Sequence, residues 1–218
     1  MLTIENLSKS FGGVRAVDGC SFTVSPKQIT ALIGPNGAGK TTVFQCISGL
    51  LDPDRGRVVL GDRDLGSLAS WDRARSGISR TFQQVQLWTY LTVSEHLLLS
   101  LHTNDDQVAS VFGHDTDEQR AAARTALERV GLPTDLLGKL GSDLSYGQSK
   151  LLELARAFLF PHQLLLLDEP VAGVNPILRQ QIAVILQTLL PGSRNTCKIN
   201  SRVILTTEGR KNPAQSSG

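Results

Sequence analysis

The stretch Gly34-Pro35-Asn36-Gly37-Ala38-Gly39-Lys40-Thr41-Thr42 constrains this chain more than any other. It fits the pattern G-x-x-x-x-G-K-[ST], with Gly34, Gly39, Lys40 and Thr41 at the required positions. Glycines let a backbone turn tightly enough to aim several N–H groups at one phosphate. Lys40 is placed to reach the β- and γ-phosphates of a nucleotide, and the Thr41 hydroxyl to bind Mg²⁺. The flanks agree: the apolar run 29–33 reads as a strand and 41–50 as a helix whose N-terminus faces the anion. Strand, loop and helix in that order imply an α/β fold.

A second constellation lies far downstream. The run 164–167 is four leucines, as expected of a parallel strand buried on both faces, and it ends in Asp168-Glu169. Carboxylates at the C-terminal end of such a strand stand where α/β sheets bind ligands. Asp168 is the candidate Mg²⁺ ligand, because Mg²⁺ keeps several waters and takes few carboxylates. Glu169 is then the candidate general base that orients and polarises the attacking water. Between the two sites, Leu144-Ser145-Tyr146-Gly147-Gln148 precedes apolar positions 151, 152, 154, 155 and 158, which share one helix face. Taken alone, Ser145 reads equally well as an ordinary N-cap.

Together these three segments resemble an ABC-type ATPase. Tyr146 stands where the family signature most often has glycine, a variant associated with uptake ATPases for branched-chain amino acids. The resemblance implies that Ser145, Gly147 and Gln148 face the γ-phosphate of a nucleotide held by a partner subunit, so that catalysis needs two subunits. It also implies that Phe11, in Ser10-Phe11-Gly12-Gly13, stacks on adenine. Gln83, in Arg80-Thr81-Phe82-Gln83, would touch Mg²⁺ and water and connect to the transport domain. Ala172-Gly173-Val174-Asn175-Pro176 matches the D-loop, with Asn175 in place of the commoner aspartate. It further implies that Pro35, Asn36, Gly37, Ala38 and Thr42 contact the nucleotide. The resemblance spans roughly 2–190.

Composition fits one such unit. The chain has 218 residues, 40% of them hydrophobic, enough for one core. No run approaches the about 18 apolar residues needed to cross a bilayer, so any membrane role is expected to be peripheral. Cys20, Cys46 and Cys197 are widely spaced and form no metal-binding pattern. His96, His102, His114 and His162 form no ligand cluster and read as surface or internally satisfied histidines. Segments 2–7 and 20–24 read as antiparallel strands, and 57–60 as another. From about 85 to 141 the pattern is helical, clearest at 93–101 and 119–130, with 104–116 a polar loop.

The end departs from the family pattern. The resemblance leads one to expect a strand closed by a histidine that contacts the γ-phosphate, yet no histidine follows His162. If 202–208 is that strand, Gly209 takes the histidine's place. Residues 191–218 carry a net charge of +4 and the rest −2. This ending reads as a frameshifted or truncated product, with a degenerate ATPase or a basic binding tail as the alternatives, and reduced stability is expected.

The expectation is therefore an α/β P-loop ATPase of ABC type, with an antiparallel β portion, a helical subdomain at about 85–160, and an incomplete C-terminal part. Residues 1–190 would form the ATP-binding domain and 191–218 an atypical tail. ATP and Mg²⁺ are the expected cofactors. The expected partners are a second ATPase subunit, transmembrane permease subunits and, indirectly, a substrate-binding protein, at the cytoplasmic face of the plasma membrane. No nucleic-acid partner is expected. The alternatives are a soluble ABC-type ATPase, or a nucleotide-binding module impaired in hydrolysis.

Overall fold

The computed structural model describes residues 1–81, 86–101 and 116–189, together with the backbone of 202–208. Strands β1 (Leu2–Phe11) and β2 (Val14–Val24) form an antiparallel hairpin. Its two-residue tip is Gly12 (φ 53) and Gly13 (φ 87), the left-handed pair that a tight primed turn requires. Strand β1 continues past the expected boundary near Leu7, and its pairing with β2 shifts register between Ile4 and Leu7, between Leu7 and Lys9, and between Lys9 and Ser10. Those irregularities interrupt the period-two alternation from which strand ends are read.

Strand β3 (Ile29–Gly34) enters the phosphate-loop motif, and helix α1 (Lys40–Ser48) leaves it. Strands β4 (Arg55–Leu60) and β5 (Arg63–Asp64) join the hairpin in a sheet ordered β2-β1-β4-β5. The short helix α2 (Ser70–Arg75) leads to β6 (Ile78–Thr81).

Helices α3 (Val93–Leu101), α4 (Asp117–Arg129) and α5 (Tyr146–Leu159) pack on one another. They are followed by β7 (Leu164–Leu167), α6 (Pro176–Gln187) and β8 (Arg202–Glu208). The second sheet is ordered β3-β8-β7-β6, and all its neighbours are parallel. The segment 202–208, which follows the expected tail boundary, thus runs as a central strand between β3 and β7. Gly34 pairs with Glu208 and Leu167 with Leu205, which brings the C-terminal ends of these strands to one edge.

The four leucines of β7 show why that run lacks alternation. Leu164 and Leu166 belong to the core beneath the hairpin sheet and α1, whereas Leu165 and Leu167 belong to the core of the helical side. Both faces of β7 are covered, so every position must be apolar. Among the described residues, no helix is long and apolar enough to cross a membrane.

Candidate functional site

The loop after β3 owes its shape to glycine. Gly37 has φ 83 and Gly39 has φ 82, a conformation that side chains disfavour. A Cβ on Gly39 would also collide with the Ala16 carbonyl oxygen and come within 3.1 Å of Val17 Cγ2, so β2 backs the loop closely. Gly39 is the N-cap of α1 and supplies no side-chain cap. Helices α4, α5 and α6 are instead capped by the side chains of Thr116, Ser145 and Asn175. The first N–H groups of α1 therefore point into the loop with the positive end of the helix dipole, an arrangement suited to an anion.

Lys40 is 7% exposed, and its ammonium donates to the carbonyls of Gly34 (2.8 Å) and Pro35 (2.9 Å). It lies folded along the loop it would serve. Thr41 sits one residue further on, and its hydroxyl donates to Asp168 Oδ1 at 3.5 Å. Asp168, just past β7, is 1% exposed. The structure thus joins residues 127 positions apart into one set of hard oxygen donors at the N-terminus of α1. A hydroxyl beside a single carboxylate fits Mg²⁺, whose remaining positions go to water and phosphate.

Glu169 follows with φ 47, in the left-handed region, and its carbonyl accepts from the Ala172 N–H at 3.0 Å. A glutamate held in that conformation costs on the order of 1–2 kcal/mol, so the turn after β7 carries backbone strain beside the two carboxylates.

In the signature segment, Ser145 and Gln148 form a reciprocal capping box. The Ser145 hydroxyl accepts from the Gln148 N–H at 3.3 Å, and Gln148 Oε1 accepts from the Ser145 N–H at 2.9 Å. Ser145 is exposed, so the N-cap arrangement does not hide it from a partner. A Cβ on Gly147 would lie 3.0 Å from Leu178 Cδ2, which gives this glycine a packing reason of its own. Asn175 Oδ1 accepts from the Leu178 N–H at 2.9 Å, so this D-loop side chain starts α6. Phe11 stands at the hairpin tip, 48% exposed, with Lys9 Nζ 5.9 Å from its ring centre. Gln83 lies outside the described residues. His96 is buried and internally satisfied: Nε2 accepts from the Trp88 N–H at 3.0 Å, and Nδ1 lies 2.8 Å from the Thr92 carbonyl oxygen.

Two arginines were not singled out by sequence reasoning. Arg80, 7% exposed at its side chain, pairs with Asp168 Oδ2 at 3.2 Å. Arg73 reaches the C-terminus of α1, where Nη1 donates to the carbonyls of Cys46 (2.6 Å) and Ile47 (3.2 Å). Neither segment carries a local signal for this, since Ile78-Ser79-Arg80-Thr81 is mixed apolar and polar and Arg73 stands between the charged residues Asp72 and Arg75.

A parallel sheet whose edge carries this loop, with Thr41 and Asp168 joined at the N-terminus of α1, defines a P-loop nucleotide-binding protein. A profile of the ABC transporter family matches residues 17–172. The chain is 39% identical over 183 residues to the high-affinity branched-chain amino acid transport ATP-binding protein LivG of Escherichia coli K12, covering 81% of this chain and 71% of that protein. It is 35% identical over 189 residues to the lipopolysaccharide export system ATP-binding protein LptB of Haemophilus influenzae, covering 87% and 75%. A solved ATP-binding cassette of an ABC transporter superposes with a TM-score of 0.78 at 32% identity, covering 97% of this chain and 82% of that one. This chain belongs to the ABC transporter family.

Proposed function

We propose that this chain is the ATP-binding and ATP-hydrolysing subunit of an ABC importer for branched-chain amino acids. The observation that carries the reading is the convergence of Lys40, Thr41 and Asp168 on the open N-terminus of α1. Likeness to LivG, and to BraF of Pseudomonas aeruginosa at 39% over 185 residues, supports the importer and its substrate class.

In this reading the backbone N–H groups of residues 36–42 and Lys40 bind and neutralise the phosphates, and Phe11 stacks on the base. Thr41, Asp168 and Gln83 would hold Mg²⁺, which neutralises charge on the β- and γ-phosphates when bound. Glu169 takes the proton of the attacking water. Ser145, Gly147 and Gln148 serve the nucleotide of the other subunit in a head-to-tail dimer. ATP closes that dimer, hydrolysis reopens it, and the motion drives permease subunits at the cytoplasmic face of the plasma membrane.

The test is purification from membranes with intact partners. Co-purification of a polytopic membrane protein, and ATP turnover that rises when a branched-chain amino acid and its binding protein are supplied, is the expected result. Turnover indifferent to both, with no membrane partner, would overturn the importer assignment.

A further inference from the structure

Arg80 is the one charged residue of β6, yet its side chain is turned inward, and burial pulls its pKa down while Asp168 pushes it back up. A guanidinium stays protonated under either influence, so a permanent cation stands beside the Asp168 carboxylate. Nη2 holds Oδ2 at 3.2 Å, and Nη1 donates to Ser48 Oγ at 3.0 Å. The Ser48 hydroxyl spends its own hydrogen on the Phe44 carbonyl at 2.9 Å, which leaves its oxygen to accept from Arg80. Between these ends the guanidinium carbon lies 6.0 Å from the centre of the Phe44 ring.

Thr41, Phe44 and Ser48 are spaced i, i+3, i+7 and so share one face of α1. Arg80 lies along that face. The two oxygens of Asp168 are thereby divided, Oδ2 to Arg80 and Oδ1 to Thr41. We propose that Arg80 is a positioning residue for the Mg²⁺ site, fixing the Asp168 carboxylate so that Oδ1 is presented to Thr41 and the metal. A buried ion pair is weak evidence for stability, because a well-packed apolar replacement is often neutral. Its value here lies in orientation: a carboxylate held at one oxygen cannot swing away from the face that Thr41 occupies.

This inference rests on the nucleotide-binding reading above, and the experiment separates the two. Binding of a fluorescent ATP analogue is titrated against Mg²⁺ for the wild type, Arg80→Met, Arg80→Lys and Ser48→Ala, with nucleotide affinity also measured in EDTA and folding checked by thermal unfolding. Loss of an outer-shell partner typically weakens metal affinity about 10–100-fold. Arg80→Met is expected to raise the half-saturating Mg²⁺ concentration within that range while leaving metal-free affinity unchanged. Arg80→Lys recovers part of the loss, since an ammonium can reach Oδ2 but cannot span to Ser48. Ser48→Ala, which removes only the far anchor, gives a smaller shift in the same direction and covers the case in which Arg80→Met fails to fold.

An unchanged Mg²⁺ requirement in folded Arg80→Met or in Ser48→Ala overturns the proposal. So does a lowered requirement, the sign expected if Arg80 acted only as a neighbouring positive charge. Absence of any Mg²⁺-dependent nucleotide binding in the wild type would instead overturn the functional reading itself, and the inference with it.

Discussion

The Tyr146 hydroxyl lies 3.2 Å from the place a Cβ on Gly173 would occupy, so the signature segment touches the loop that follows Glu169. Gly173 also has φ 70, which an alanine adopts only at a cost of about 1–2 kcal/mol. Gly173→Ala is expected to destabilise the fold by about that amount. The contact adds little, because the atom met is the far end of a movable side chain. A double-mutant cycle with Tyr146→Ala, read by urea unfolding, should give a coupling of about 0.5 kcal/mol. Zero coupling would mean the two segments do not act on each other.

Gly39→Ala puts a methyl group against the Ala16 carbonyl oxygen at φ 82. The loop must then shift away from β2, and its N–H groups lose their aim. Nucleotide affinity is expected to fall at least about tenfold, or 1.4 kcal/mol, in a chain whose circular dichroism is unchanged. Affinity equal to that of the wild type would contradict the close approach of β2.

Arg73 closes the C-terminus of α1 by donating to buried carbonyls, and its Nε donates to the Leu68 carbonyl at 2.9 Å. A cation at that end also complements the helix dipole. Charged hydrogen bonds are worth about 1.5–3 kcal/mol each and these three share one guanidinium, so they do not simply add; Arg73→Met should cost at least about 3 kcal/mol and lower Tm by at least about 6 °C. A Tm within experimental scatter of the wild type would remove this role.

Burial holds the His96 imidazole below its ordinary pKa, with Arg156 acting in the same direction and the Thr92 carbonyl and Glu95 opposing. The unfolded chain takes up a proton near pH 6.5, while the folded chain resists it. Stability from this group is therefore fully present above about pH 6.5 and is lost as pH falls toward the lower folded value, by at most about 1.4 kcal/mol per pH unit. Protonation would also turn Nε2 from acceptor to donor against the Trp88 N–H. His162 shifts the same way through burial, so the signature is the difference in pH slope of the urea midpoint between wild type and His96→Gln. Equal slopes would contradict it.

What the sequence disclosed follows from how locally each feature is determined. The phosphate loop was legible because glycines at φ 83 and 82 are demanded by the loop itself. The β7 run was legible because a strand covered on both faces has no polar position. The helix at Val93–Leu101 has the bounds its sequence pattern gives, and the Ser145 N-cap is present as its local sequence suggests. Sequence pattern alone assigns Arg80 no role, since its partner Asp168 lies 88 positions away and only the sheet order β8-β7-β6 brings them together. Arg73 escaped notice for the same reason, its acceptors lying 26 and 27 positions upstream. The central position of β8 was hidden by its surroundings: an apolar core of three residues, Val203-Ile204-Leu205, set in a polar, basic stretch.

ATP hydrolysis at this site with Glu169 as the base is the step on which the proposed function turns. The direct measurement is steady-state phosphate release from MgATP by the wild type and by Glu169→Gln, with bound nucleotide quantified in parallel. The expected result is Mg²⁺-dependent turnover in the wild type, a fall of about 10²–10⁴-fold in Glu169→Gln, and nucleotide binding retained in both. Turnover in Glu169→Gln equal to that of the wild type would contradict it.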